Sequence, residues 1–264
     1  MVSSFDIVPL NSAQLGIYYD QLLHPGSAMY NVGAMVVIKG RMEFARFETA
    51  CRRVLDKHAN LRSSVVLIHD EPTLHVMTSL SVDVQLIDLQ GLGMSEVESY
   101  VDTNFQIPYD LSACSSLCNF YLIKTSDEFY VFYSKYHHII TDGWGTSIIF
   151  KDLTEFYNQE KQEQIATDFK YQLYSVEQDR KYLASSLYAS DKIFWADQLS
   201  ARPGRLFAQT PTAIACEKEE LTIPRSIISK ADLGMQAIGC SLFHAFIGCI
   251  YLVLSKAVRT ENIS

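Results

Sequence analysis

The segment from Glu128 to Gly145 constrains the fold of this chain more than any other. Glu128 to His138 is dense in aromatic and β-branched residues and holds neither Gly nor Pro, a composition that predicts a strand. Side chains alternate along a strand, so Phe129, Val131, Tyr133, Lys135 and His137 share one face. Tyr130, Phe132, Ser134, Tyr136 and His138 share the other. His137 and His138 therefore point opposite ways if the strand persists through both. They are a poor bidentate metal pair, and no metal site is expected. One of them is expected to do chemistry and the other to hold the backbone. His138, next to the loop, is the candidate for the chemical role because imidazole exchanges a proton near neutral pH.

A helix follows. Trp144, Ile148, Ile149, Leu153, Phe156 and Tyr157 recur close to a 3.6-residue period from Gly143 onward. Asp142 stands where an N-cap stands, and Thr141 is a second capping residue. A cap and a structural salt bridge are both structural roles, and neither makes Asp142 a base.

At 264 residues and 48% hydrophobic content, the chain holds enough apolar surface for one large domain or two smaller ones. A net charge of −8 without a Lys/Arg cluster argues against nucleic acid. The N-terminus has no basic region followed by an apolar core, so no signal peptide is expected. The apolar run from Leu242 to Leu254 is too short for a bilayer, which needs about 20 residues, and it contains His244. No membrane partner is expected, and the location expected is cytoplasmic. The six cysteines form no CxxC pair. Cys114 and Cys118 are a loose metal pair at best, and buried free thiols are the expectation.

Helices and strands alternate. Helices are predicted at Ser12–Leu23, opened by Asn11 or Ser12, at Glu43–His58 with Phe44, Phe47, Cys51, Val54, Leu55 and His58 on one face, and at Met94–Phe105. Strands are predicted at Tyr30–Lys39, Leu61–Ile68, Thr73–Met77, Val82–Ile87 and Leu117–Lys124, the last joined to the histidine strand by a hairpin at Thr125-Ser126-Asp127. Two helices are expected between Tyr171 and Leu199, a linker over Arg202–Pro211, a short strand near Leu221 and two closing helices. The layout is α/β, with the histidine loop at the end of a central strand.

Several motifs in order resemble the amino-terminal part of a condensation domain from nonribosomal peptide synthetases. Ser12-Ala13-Gln14-Leu15-Gly16-Ile17-Tyr18, His58-Ala59-Asn60-Leu61-Arg62 and His137-His138-Ile139-Ile140-Thr141-Asp142-Gly143 are similar to that family's first, second and HHxxxDG motifs. Pro108-Tyr109-Asp110-Leu111 and Phe194-Trp195-Ala196-Asp197-Gln198-Leu199 match weaker landmarks. Gly145 stands where the family usually has Ser, a small residue for a small residue that is expected to be tolerated. Asn119 stands where Arg is frequent.

The resemblance implies a chloramphenicol-acetyltransferase-like lobe, a mixed sheet flanked by helices, over residues 1–170. Residues 171–264 would hold inter-lobe helices, a linker and an incomplete start of a second lobe. It implies amide formation between a donor acyl or peptidyl thioester and an acceptor aminoacyl thioester. Both arrive on 4'-phosphopantetheine arms of carrier proteins, with no cofactor bound directly. Donor and acceptor carrier proteins, the missing carboxy-terminal lobe and adjacent synthetase modules are the implied partners, and turnover by these residues alone is not expected. His138 would meet the attacking amine, as base or as electrostatic partner. His137 would support the motif. Arg62 would pair with Asp142. The Gly143 N–H would steady negative charge, and its missing side chain would leave room for the donor arm, unless it is a simple turn glycine. His58 is read as packing, and Gln14 and Tyr18 as lining the tunnel or packing the first helix. A related epimerisation or acyltransferase domain and a non-catalytic carrier-binding module are the competing readings.

Overall fold

Asn11 opens the first helix with a capping box. Its side chain accepts the Gln14 amide, and the Gln14 side chain accepts the Asn11 amide. In the computed structural model, which describes residues 7–77, 84–113, 115–159, 170–200 and 221–259, the elements run in the alternating order that the sequence pattern predicts. They are β1 (Ile7–Pro9), α1 (Ser12–Leu23), β2 (Asn31–Lys39), α2 (Phe44–Lys57), a 3-10 turn (Ala59–Arg62), β3 (Ser63–Ile68), β4 (Glu71–Val76) and β5 (Val84–Asp88). Then come α3 (Met94–Phe105), β6 (Cys118–Ser126), β7 (Phe129–His137), α4 (Gly143–Asn158), α5 (Lys170–Leu183), α6 (Ser186–Gln198), α7 (Arg225–Ala237) and α8 (Leu242–Val258).

Two sheets form. One orders its strands β1-β4-β3 and is antiparallel. The other orders them β2-β7-β6-β5, with β5 and β6 parallel and the remaining pairs antiparallel, so it is mixed. The parallel pair needs a crossover, and α3 supplies it. Strand β7 is interior. Its odd-numbered face carries Val131 and Tyr133 into a cluster with Val97 of α3, Tyr121 and Ile123. Its even-numbered face carries Tyr130, Phe132 and Tyr136 into the main core with Phe47, Val54 and Leu55 of α2 and Ile149 and Leu153 of α4. Helices on both sides bury every β7 residue from Tyr130 to His137. Lys135 is buried with them. Its ammonium donates to the Asn104 and Ile107 carbonyls, each at 2.9 Å, at the end of α3. Burial lowers its pKa to about 8.

The described contacts divide the chain into two compact units, Met1–Ser185 and Ser186–Ser264. Helix α5 belongs with the first unit because Val176 joins the main core. Asp179 also accepts the Ser12 amide and hydroxyl, at 3.0 and 2.8 Å. In the second unit, α7 and α8 have no buried residue, and Phe243, Phe246, Ile250 and Val253 of α8 are exposed. The strand expected near Leu221 does not appear. Residues 221–224 take no regular structure, Pro224 is the N-cap of α7, and no described strand lies there as a pairing partner. The linker expected over Arg202–Pro211 and the side chain of Cys114 lie outside the described residues. No single described helix is long and apolar enough to cross a membrane.

Gly33 marks how closely β2 lies on β7. A Cβ there would sit 2.5 Å from the Ser134 carbonyl oxygen and 3.3 Å from the Phe105 ring. The obstacle is backbone and cannot rotate away. Gly33→Ala is therefore expected to cost about 1–3 kcal/mol, an overpacking penalty, read as a lower urea midpoint with unchanged slope.

Candidate active site

Strand β7 ends at His137, and the two histidines take different surroundings. His137 is fully buried. Its Nδ1 accepts the Ile139 amide at 3.1 Å, which leaves Nε2 to carry the proton towards Gln21 Oε1 at 3.4 Å. Its ring lies against Tyr30 and Tyr109, and the Tyr109 hydroxyl reaches Asn119 Oδ1 at 2.7 Å. Asn119, where the family often has Arg, thus holds the tyrosine that packs on His137. Burial first, and the neighbouring His138 second, lower the His137 pKa to about 4.

His138 begins the loop. Its amide donates to the Tyr30 carbonyl at 2.8 Å, and its ring Nδ1 lies 3.0 Å from the Thr141 carbonyl. A carbonyl only accepts, so Nδ1 carries the proton and Nε2 of the neutral ring is left as a base. The ring borders a groove of about 660 Å³ with Gln14, His58, Trp144, Ile148 and Gln172. Ile139 and Ile140 anchor the loop by burying their side chains in the main core. Gln14 Nε2 holds the Ile139 carbonyl at 2.9 Å. Gln14 therefore lines the groove, whereas Tyr18 is buried in the core.

Asp142 is the N-cap of α4, and its Oδ1 accepts the Gly145 amide at 2.7 Å. Arg62 lies elsewhere in the hydrogen-bond scheme. It is 1% exposed, and it donates to the carbonyls of Leu55 and Met77. The expected Arg62–Asp142 pair is not among the ion pairs of the described residues. The physical reason is that the carboxylate is turned to the α4 amides at the surface, while the guanidinium ties α2 to the end of β4. Gly143 has no positive φ, and a Cβ there would meet nothing within 4 Å, so its backbone does not demand glycine. At Gly145 a Cβ would run into Thr141 Oγ1. The Ser that the family usually has there needs a rotated Thr141, so that exchange is less neutral than size alone suggests.

His58 is not merely packing. Its Nε2 lies 2.6 Å from Asp152 Oδ2, and Lys57 Nζ lies 2.7 Å from Asp152 Oδ1. Burial pushes the Asp152 carboxyl up, but the Lys57 and His58 hydrogen bonds outweigh it, and the pKa falls below the usual range. The sequence does hold a signal for this cluster. Asp152 sits inside the apolar stripe of α4 between Ile149 and Leu153, and a buried carboxylate needs a partner.

A family model of the condensation domain matches residues 4–264. The chain belongs to the condensation-domain family. It is 26% identical over 263 residues to a plipastatin synthase of Bacillus subtilis (strain 168), covering 94% of this chain and 10% of that protein. It is also 26% identical to a linear gramicidin synthase of Brevibacillus parabrevis, covering 97% and 5%. The chain thus spans a tenth or less of these relatives. Among solved structures, the starter condensation domain of the rhizomide synthetase has 26% identity and a TM-score of 0.63, over 76% of this chain and 49% of that one. The first condensation domain of the CDA synthetase aligns with a TM-score of 0.83 at 21% identity, over 98% of this chain and 64% of that one. That likeness carries the fold, the chloramphenicol-acetyltransferase-like lobe with its mixed sheet and flanking helices.

Two outcomes follow for this condensation domain. The unfolded chain protonates His137 near pH 6.5 and the folded chain near pH 4. The unfolded state therefore binds more protons in that window, and stability falls as pH drops through it, by about 3 kcal/mol for this ring. His137→Gln, melted at pH 7 and at pH 4, is expected to lose correspondingly less. In a double-mutant cycle, Asp142→Asn is expected to be nearly silent because Asn caps well. Arg62→Met is expected to cost about 2–4 kcal/mol by stranding two carbonyls, and the coupling between the two changes is expected to be near zero by chemical denaturation.

Proposed function

We propose that the intact domain forms an amide bond between a donor acyl or peptidyl thioester and the α-amine of an acceptor aminoacyl thioester, both tethered to carrier proteins. The observation that carries this reading is the contact between His138 Nδ1 and the Thr141 carbonyl. The Thr141 carbonyl holds the Nδ1 proton, and the ring borders the groove with Nε2 lacking a partner among the described residues. Nε2 is then placed to accept a proton from the attacking nitrogen. A C–N bond forms as the thioester carbonyl becomes tetrahedral. The C–S bond then breaks, and the proton passes from the nitrogen through His138 to the departing sulfur, leaving amide and thiol. A thioester is already activated, so holding the two ends together supplies much of the rate.

The Gly143 amide, which Asp142 does not take, favours the negative oxygen of the intermediate. The space beside Gly143 admits the donor arm. His137 is the support, neutral and buried. The partners are donor and acceptor carrier proteins, adjacent synthetase modules and a second lobe that completes the tunnel. The exposed apolar face of α8 supports that last requirement, because large exposed apolar patches mark contact surfaces.

In a domain with both lobes, His138→Ala is expected to slow amide formation about a hundred- to ten-thousand-fold, with melting temperature and carrier binding unchanged. Gly143→Ala is expected to keep the melting temperature and lose turnover, by filling the space that the arm needs. Residues 1–264 alone are expected to bind a donor carrier protein in calorimetry without multi-turnover amide formation. Turnover by this chain alone overturns the requirement for a second lobe, and near wild-type turnover of His138→Ala with chemistry rate-limiting overturns the assignment of His138.

A further inference from the structure

A second cavity, of about 460 Å³, lies where α2 begins and α4 ends, and it shares no lining residue with the His138 groove. Its wall includes Glu43, Ala45, Arg46, Thr49, Arg53 and Phe156. Phe156 stands thirteen residues after Gly143 on α4, about 20 Å along the helix axis. The chemistry of the groove does not reach it.

Arg53 is the unexplained group. It is 9% exposed, its guanidinium lies 4.2 Å over the Phe156 ring, and its Nε is sealed from solvent with no acceptor. Among the described residues it forms no ion pair. Lys57, the other cation near Phe156, is held by Asp152. A sealed N–H without an acceptor is a costly arrangement. Arg53 lines the cavity together with Thr49 and the start of α2. There Arg46 lies 5.0 Å over the Tyr157 ring. Stacking occupies the face of each guanidinium and leaves its N–H edge for an acceptor. The first turn of α2 adds more donors. Its N-cap, Glu43, makes no side-chain cap. The first backbone bond across the cap runs from Phe47 to the Glu43 carbonyl, so the three preceding amides have no acceptor inside the helix.

We propose that this cavity is a binding site for a phosphate group, held between the edges of Arg46 and Arg53 and the open amides of α2. Two guanidiniums against the single Glu43 carboxylate leave the site net positive. Two guanidiniums and a helix end border one cavity, a donor set that suits a tetrahedral oxyanion better than a planar carboxylate that one fork satisfies. The ligand is either free inorganic phosphate or the phosphate of a small ester.

The test is calorimetry and thermal melting of the chain in chloride buffer at fixed ionic strength, titrated with inorganic phosphate, with an alkyl phosphate monoester and with acetate. Saturable binding of phosphate or of the monoester is expected, with a rise in melting temperature that acetate does not give. Tighter binding of the monoester identifies an esterified ligand, and binding of inorganic phosphate alone identifies the free anion. Arg53→Met is expected to weaken binding at least tenfold and Arg46→Gln at least threefold. Arg46 is exposed, so its variant carries the test if Arg53→Met does not fold. Absence of saturable binding, an equal response to acetate, or undiminished binding in the folded variants overturns the proposal.

Discussion

The Ile139 amide bends back onto Nδ1 of His137, and the geometry of the histidine loop depends on that bond. It is made inside the protein, by a ring that burial keeps neutral. Were the ring charged, Nδ1 would carry a proton and could not accept. Its neighbours are arranged to the same end. Tyr30 and Tyr109 close the ring off from water, and the Leu117 and Tyr30 carbonyls take the amides of His137 and His138. The chain leaves β7 along one path, with Ile139 and Ile140 driven into the core and Thr141 returned towards His138. An imidazole held in one tautomer at the rim of a groove results from this backbone route, and no carboxylate is needed to orient it.

Charge around the groove is sorted by depth. Asp142, at the surface, meets amides of α4 and acts as a cap. Asp152, two to three turns further along the same helix, is buried and meets Lys57 and His58 from the end of α2. Arg62 meets backbone carbonyls from α2 and from the residue after β4. The Arg62 bonds join α2 to the end of β4. The Asp152 bridge joins the end of α2 to α4, and residues from these two places line the groove. A rigid frame suits chemistry in which positioning carries much of the acceleration.

Much of this was legible in the sequence. The 12-residue spans of α1, opened by its Asn11 cap, and of α3 match the sequence reading residue for residue. Helix α2 follows from an apolar stripe that its buried Phe47, Cys51, Val54 and Leu55 confirm. These are local properties, dictated by backbone geometry within a few residues. The ordered motifs also carried the family, because spacing along a chain survives when most side chains differ.

Tertiary structure decided the rest. Local pattern does not say that Asp142 turns to its own helix while Arg62 ties α2 to the end of β4, since both residues are compatible with an ion pair until the fold sets their depths. Nor does it say that His58, at the edge of an apolar stripe, reaches a carboxylate 94 residues later. Helix α5 belongs to the first unit because Val176 and Asp179 find partners there. A boundary is a property of contacts, not of composition. By itself the sequence determined which residues form each element and which way they face. Only the packing of α2 against α4 decided which charges meet, because hydrogen bonds and ion pairs act over a few ångströms and the chain brings those groups together only when it is folded.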